Sequence, residues 1–336
     1  MPIINNKIRV KIIARGQDSF PWVKQLPEAS NSIGNCEYVF AKDDPVYDWL
    51  VVIDDVSRNY FSQPESLNCP REHTLLVTSE PPTITNYGDA FCSQFAKVLT
   101  SHPEHALSHP GKIFSHTGNL WFNGHNFHDC RKEVHWEKSR TISVVCSSKS
   151  QKHTLHNKRN QFCMWLNEKI PNLDTFGHGH NFVKNKFTAI DPYKFHIAIE
   201  NYAGRNHWTE KLADSFLSGA YPFYYGCTNL EEFFDSKSYT SIDLNDWTGS
   251  LDKINEVIND EQFYKSRIDA IKSSKELILQ KYNLLFMINE IVEDNHTLNA
   301  RSVGGKIFGR KQMRVLNPSD GINHFAWYSK RSFGKV

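Results

Sequence analysis

Short apolar runs bounded by Pro, Asp, Ser or Gly recur along the first half of the chain. "IRVKIIA" (8–14), "YDWLVVIDDV" (47–56), "TLLVTSE" (74–80) and "FAKVLTS" (95–101) are rich in β-branched residues, and the pattern predicts strands. A second series opens at "RTISVVCSSKS" (140–150). It passes into a helical pattern in "NKRNQFCMWLNEKI", where Phe162, Leu166 and Ile170 share a face. Next comes "KFHIAIE", a mostly apolar strand ending on Glu200, and the loop "NYAGRNHW", with Gly204 expected to make the turn. "TEKLADSFLSG" then places Leu212, Phe216 and Leu217 on one helical face, with Gly219 as its stop, and "AYPFYYG" returns as a buried strand. Alternating strand and helix predict α/β layers with mainly parallel sheets. The polar, aromatic-studded stretch 116–138 reads as a linker, with "TGNLWFNGHNF" (117–127) expected to serve interdomain packing. The expected organisation is two Rossmann-like domains with a cleft between them, residues 1–135 and 136–300, followed by a basic tail, 301–336.

At 336 residues the chain is long enough for two domains, and 39% hydrophobic with 23% charged residues describes a globular protein, not a disordered one. A net charge of +2 does not point to nucleic acid. The charge is uneven, because residues 301–336 hold eight Lys/Arg and one acid, Asp320. Gly304, Gly305, Gly309 and Pro318 argue against a long helix there. The tail reads either as a solvated segment or as a loose attachment to an anionic membrane or phosphorylated acceptor. The start, "MPIINNKIRVKIIARG", reads as a first strand without a signal peptide, and no apolar run approaches the roughly 18 residues that would span a bilayer. Seven cysteines without a CxxC pair suit reduced thiols in a cytosol. Among 16 histidines, His178 and His180 in "FGHGHNF" suit a loop better than a ligand set, so no metal site is expected.

The densest chemistry lies at 195–227. In an open parallel sheet, ligands bind at the carboxyl ends of strands, where helix N-termini offer free amides and partial positive charge. A lysine in a helix's first turn opposes the macrodipole by a few tenths to about 1 kcal/mol. Lys211 makes sense there if an anion is to be neutralised, while Glu210 is suited to accept from hydroxyls such as a ribose diol. "VVCSSKSQKHTLHNKRN" repeats the arrangement: a strand end, a Ser-rich turn beginning at Ser147, then Arg159 in the next helix. Two such units make a cradle for a diphosphate, with Arg binding bidentately and Lys as a point charge. There is no GxxxxGK[ST] and no GxGxxG after a strand, which disfavours P-loop hydrolases and ordinary NAD enzymes and fits sugar-nucleotide chemistry.

The stretch "YKFHIAIENYAGRNHWTEKLADSFLSGAYPFYYG" resembles the signature of glycosyltransferase family 10, the α1,3/4-fucosyltransferases. Tyr193-Lys194-Phe195, Glu200-Asn201, Thr209-Glu210-Lys211, Gly219, Pro222 and Gly226 match it in order and spacing. "SS…RNQF" and "FGHG…K" resemble the preceding elements, and the resemblance covers about 140–245 well. It implies a GT-B fold, a GDP-sugar donor in the C-terminal domain, and an inverting single displacement that requires no cofactor and at most a stimulatory divalent metal. It assigns Arg159 and Lys211 to the pyrophosphate and Glu210 to the ribose; Ser147, Asn201 and His207 are further candidate positions for donor contact. It makes Glu80, in "TLLVTSEPPTI", the general base. Inversion needs such a carboxylate to take the acceptor proton while cations stabilise the departing diphosphate.

Tyr202 and His207 depart from the pattern in the loop expected to face the donor sugar, so the family is better specified than fucose itself. The expected function is transfer of L-fucose to an oligosaccharide or glycolipid such as a lipopolysaccharide or capsule precursor, in the cytoplasm or at the inner face of the membrane through the basic tail. Another GDP-sugar, or a non-catalytic carbohydrate- or nucleotide-binding role on the same scaffold, are the rival readings.

Overall fold

The computed structural model describes residues 7–14, 22–27, 30–56, 59–60, 62–121, 124–132, 134–146, 155–177, 179, 181–298 and 304–332. The chain forms two compact units, Met1–Gly118 with Leu284–Val336, and Asn119–Asn283.

In the first unit the chain lays down β1 (Ile8–Ala14), β2 (Ser32–Ile33), β3 (Cys36–Val39), β4 (Trp49–Ile53), β5 (Glu65–Ser66), β6 (Thr74–Val77), α1 (Asp89–Cys92), β7 (Lys97–Thr100) and β8 (Lys112–Phe114). Seven of these strands form one sheet in the order β2-β3-β1-β4-β6-β7-β8, with β2–β3 as its antiparallel pair and the other neighbours parallel. The four predicted apolar runs are its consecutive strands β1, β4, β6 and β7. Leu50, Val51, Val52, Leu75 and Leu76 are fully buried, as central strands covered on both faces require. Helix α1 adds Phe91 and Cys92 to that core. The strand predicted over 47–56 stops at Ile53, where Asp54 turns into the left-handed region at φ 65°.

The second unit contains α2 (Phe127–Arg131), β9 (Arg140–Val145), α3 (His156–Lys169), β10 (Leu173–Phe176), α4 (Phe187–Ile190), β11 (Tyr193–Gly204), α5 (Glu210–Leu217), β12 (Tyr221–Cys227), β13 (Thr240–Ser241), α6 (Trp247–Asn259) and α7 (Phe263–Leu279). Its sheet is parallel throughout, in the order β10-β9-β11-β12-β13. The central strand is therefore β11, whose Phe195, Ile197 and Ile199 are buried together with Phe162 of α3, Phe216 of α5 and Phe223 of β12. The expected linker is part of this unit: Asn119 N donates to Tyr282 O at 2.7 Å, and Trp121 and Phe127 are buried. Burying an aromatic side chain of phenylalanine size is worth about 1.5–3 kcal/mol, so these residues pack as structure, and the boundary falls at 118/119 instead of 135/136.

After Asn283 the chain returns to the first unit through α8 (Leu284–Asn295), β14 (Lys306–Ile307), α9 (Arg310–Leu316) and α10 (Pro318–Ser332). Tyr38 Oη donates to Leu285 O, Asn35 N donates to Glu293 Oε1 at 2.7 Å, and the His73 ring lies 4.9 Å from both Trp49 and His296. Antiparallel pairing joins β14 to β5. Residues 284–298 thus belong with the first unit, contrary to the sequence expectation. The predicted non-helical tail is also corrected. Gly309 caps α9, and Pro318 occupies the first position of α10, where the missing N–H has no intrahelical partner to lose. Arg310 anchors the segment by a buried pair with Asp55, Nε to Oδ2 at 3.0 Å.

Candidate functional site

Toward the carboxyl end of β11 stands Glu200, which is wholly buried. Its Oε1 accepts from Thr209 N at 2.8 Å and its Oε2 from Thr209 Oγ1 at 2.7 Å. Thr209 is the N-cap of α5, its hydroxyl accepting from Lys211 N, the arrangement that satisfies an otherwise orphaned helix amide. The strand end thereby fixes the helix start. The turn between them differs from expectation. Gly204 closes the strand, where a Cβ would meet the Tyr202 ring at 2.5 Å. The left-handed residue is Asn206, at φ 59°. Asn206 N donates to Asn229 Oδ1 at 2.8 Å, and Asn229 Nδ2 donates back to Asn206 Oδ1 at 2.9 Å. Helix α5 stops as predicted: Gly219, at φ 70°, donates to Phe216 O, and Ala220 N donates to Ser215 O, which is a Schellman ending.

Three cations converge here. Lys211 Nζ lies 3.2 Å from Glu210 Oε1 and 3.4 Å from Glu200 Oε2, and donates to Thr209 Oγ1 at 3.0 Å. Lys186, the residue before α4, places Nζ 3.6 Å from Glu210 Oε1 and 3.8 Å from Asp214 Oδ2. Arg159 of α3 donates through Nη1 to Asn201 Oδ1 at 2.5 Å and to Ile199 O at 3.4 Å. It is 6% exposed, and its Nε makes no hydrogen bond among the described residues. Arg159, Lys186, His196, Glu210, Lys211 and Asp214 all line one cavity of about 150 Å³.

The electrostatics follow from this crowding. Burial pushes Glu210 upward, but Lys211 and Lys186 prevail and hold it well below the ordinary carboxylate range. Burial would lower Lys211, yet Glu210 and Glu200 raise it, so this pair is charged at neutral pH. Burial raises Glu200 against the pull of Lys211, and raises Asp214 to about 7. Burial, helped by Lys186, pushes His196 down to about 3, so its ring is neutral; its Nδ1 meets Ser143 Oγ at 2.8 Å. A hydrogen bond from the Cys163 thiol, together with Arg159, brings Cys146 down to about 7. Arg159 thus projects positive potential onto its surroundings.

Of the predicted residues, Arg159, Glu210 and Lys211 meet on one cavity. Asn201 is adjacent, its side-chain oxygen engaged by Arg159. His207 is 5% exposed, packs edge-on against Tyr202 at 5.3 Å and does not line the cavity. Ser147, His178 and His180 lie outside the described residues. Lys186 and Asp214 escaped notice in the sequence, although Asp214 stands four residues after Glu210, a spacing that puts both carboxyls on one helical face.

Glu80 belongs to the first unit, in the loop after β6, and its side chain is exposed. The backbone around it is fixed. Glu80 N donates to Tyr87 Oη at 3.4 Å, and His102 Nε2 meets Glu80 O at 2.8 Å. Tyr87 Oη in turn donates to Asp54 Oδ1, which also accepts from Ser79 N at 2.8 Å. Burial pushes His102 down to about 4, so its ring is neutral. Among the described residues no group of three or more His, Cys, Asp or Glu is placed to hold a metal ion, and no helix is long and apolar enough to cross a membrane.

The paired cations and the acid of this parallel α/β unit lie at the carboxyl end of its central strand, where open α/β sheets bind their ligands. Residues 136–271 match the model of glycosyltransferase family 10 (fucosyltransferase), C-terminal part. Over this segment the chain is similar to glycosyltransferase family 10. It is 34% identical over 77 residues to the alpha-(1,3)-fucosyltransferase FucT of Helicobacter pylori, an alignment covering 23% of this chain and 16% of that protein. It is 44% identical over 45 residues to an alpha-(1,4)-fucosyltransferase of Arabidopsis thaliana, covering 13% of this chain and 11% of that protein. The alignments thus span less than a fifth of either relative's length. A crystal structure of an alpha1,3-fucosyltransferase aligns with a TM-score of 0.47 at 15% identity, covering 82% of this chain and 91% of that one.

Proposed function

We propose that the chain transfers a sugar, L-fucose, from GDP-fucose to a hydroxyl of an oligosaccharide or glycolipid acceptor such as a lipopolysaccharide or capsule precursor. The observation that carries this reading is the convergence of Arg159, Lys211 and Glu210 on one cavity within the segment that matches the fucosyltransferase family. Arg159 and Lys211 take the diphosphate, the buried Arg159 Nε making no hydrogen bond among the described residues. Glu210, kept ionised by two lysines, accepts from the ribose hydroxyls.

The reaction is a single inverting displacement. The acceptor oxygen forms its bond to C1 as the C1–O bond to the diphosphate breaks, the electron pair leaves with GDP, and Glu80 receives the acceptor proton. The cations stabilise the developing charge on GDP, so no metal is required by this scheme. Asn201 acts through Arg159, and His207 through the packing of the loop. A peripheral contact with an anionic membrane at the cytoplasmic face completes the reading: α10 exposes Ile322, Phe325 and Tyr328 beside Lys330, a combination suited to an interfacial surface.

The test is release of GDP from GDP-fucose compared with GDP-mannose and related GDP-6-deoxy sugars. Preferential release from GDP-fucose is expected. Release from a different GDP-sugar alone would remove the fucose assignment and leave the scaffold reading standing, and tight GDP binding without turnover of any donor would favour a binding module.

A further inference from the structure

We propose that Asp214 reads the base of the donor nucleotide, its carboxylate accepting two N–H bonds from the edge of guanine that carries N1–H and the exocyclic amine. The proposal rests on the GDP-sugar reading above and names the residue that makes the site guanine-specific.

Asp214 is 1% exposed, and neither carboxylate oxygen has a hydrogen-bond partner among the described residues. Lys186 Nζ, at 3.8 Å from Oδ2, is within ion-pair reach but beyond hydrogen-bond distance. A buried carboxylate left in this state is costly, and the cost is relieved when a ligand brings its own donors. Apart from the neutral His196 ring, the rest of the cavity wall is aliphatic, formed by Val145, Ile190, Ile197, Ala198 and Ile199, which suits the faces of a planar base. The order of polar groups also matches a nucleotide. Lys211 and Arg159 stand for the diphosphate, Glu210 for the ribose, and Asp214, one turn further along α5, for the base.

The edge chemistry selects among bases. Guanine presents two parallel donors that fit a carboxylate as a guanidinium does. Hypoxanthine lacks the amine, adenine offers an acceptor nitrogen and a C–H at the equivalent edge, and xanthine replaces the amine with a carbonyl. The raised pKa of Asp214 agrees with a carboxylate awaiting donors.

The experiment is calorimetric titration of the full chain and of Asp214→Asn with GDP, IDP, XDP and 2′-deoxy-GDP. Wild type is expected to prefer GDP over IDP by about 10- to 100-fold, the range for one hydrogen bond to a charged group. Asp214→Asn is expected to lose a similar factor for GDP and to gain affinity for XDP, whose carbonyl can accept from the new amide. The variant removes a buried charge, so its unfolding temperature at pH 8 should not fall below that of wild type. Equal binding of GDP and IDP by wild type, a comparison that needs no variant, would overturn the proposal alone. So would an Asp214→Asn variant whose loss tracks the 2′-hydroxyl instead of the amine. A wild-type chain that binds none of the four nucleotides would overturn the donor reading itself, and this proposal with it.

Discussion

At the end of β11 the charged side chains are buried or half-buried and paired with one another, whereas after β6 the main chain is held around an exposed residue, Glu80. Glu200 grips the N-cap of α5, Lys211 bridges Glu200 and Glu210, and Lys186 bridges Glu210 and Asp214. Glu80, by contrast, is fixed through its main chain by Tyr87 and His102. Both places lie at the carboxyl edge of a largely parallel sheet. The difference suggests a division of labour. On the proposed reading, the site that takes the highly charged donor is organised in advance, so its residues serve stability and binding together. The proposed base, Glu80, has a fixed backbone and an exposed side chain.

The largest separation of the two regions should come from Glu80→Gln. Initial rates of sugar transfer should fall by about 10²- to 10⁴-fold, the usual contribution of a general base, with GDP affinity and thermal stability unchanged. Unchanged transfer would place the base elsewhere. Glu200→Ala should do the opposite. It strips partners from the half-buried Thr209 hydroxyl and from Lys211, and chemical denaturation should show a loss of about 3 kcal/mol, as for a broken buried pair.

Lys211→Ala should weaken GDP by about 10- to 100-fold while leaving guanosine nearly untouched, because the lost partner is a charged one. Equal losses for the two ligands would remove the phosphate role. A smaller effect is expected from pH. Asp214 holds its proton up to about 7, and is faced by Lys186 before α4, Glu210 and Lys211 on α5, His196 on β11 and Arg159 on α3. The protonated carboxyl loses an acceptor, so the preference for GDP over IDP should be low at pH 6 and rise through about pH 7. Using the ratio cancels the titration of the shared diphosphate. The smallest expected change is Trp327→Phe, which removes the 3.0 Å bond from Nε1 to Pro82 O two residues after Glu80 and should cost about 1 kcal/mol in thermal unfolding.

Much of this was legible in the sequence where apolar runs are long and continuous. The strands β1, β4, β6, β7, β9, β11 and β12 announce themselves because both faces are covered, and so does the meeting of Arg159 with Lys211, since parallel strands bring successive helix starts to one edge. The short edge strands β2 and β8 have too few residues to make a pattern. Lys186 and Asp214 needed the placement of α4, a four-residue helix without a period of its own. Asn206 was missed because glycine is the default for a left-handed turn, and here two asparagines hold each other in place of it. The return of 284–298 rests on long-range contacts such as Asn35 with Glu293. In α10, Pro318 marks a helix start instead of a stop.

The most direct test of the central claim, that the β11–α5 junction is the donor site, is amide hydrogen exchange of the full chain with and without GDP. Protection is predicted at the carboxyl end of β11, in the first two turns of α5 and in the first turns of α3. Protection confined to other regions, such as the cation-lined depression at Lys237, Lys253 and Arg267, or no protection at all at saturating GDP, would contradict it.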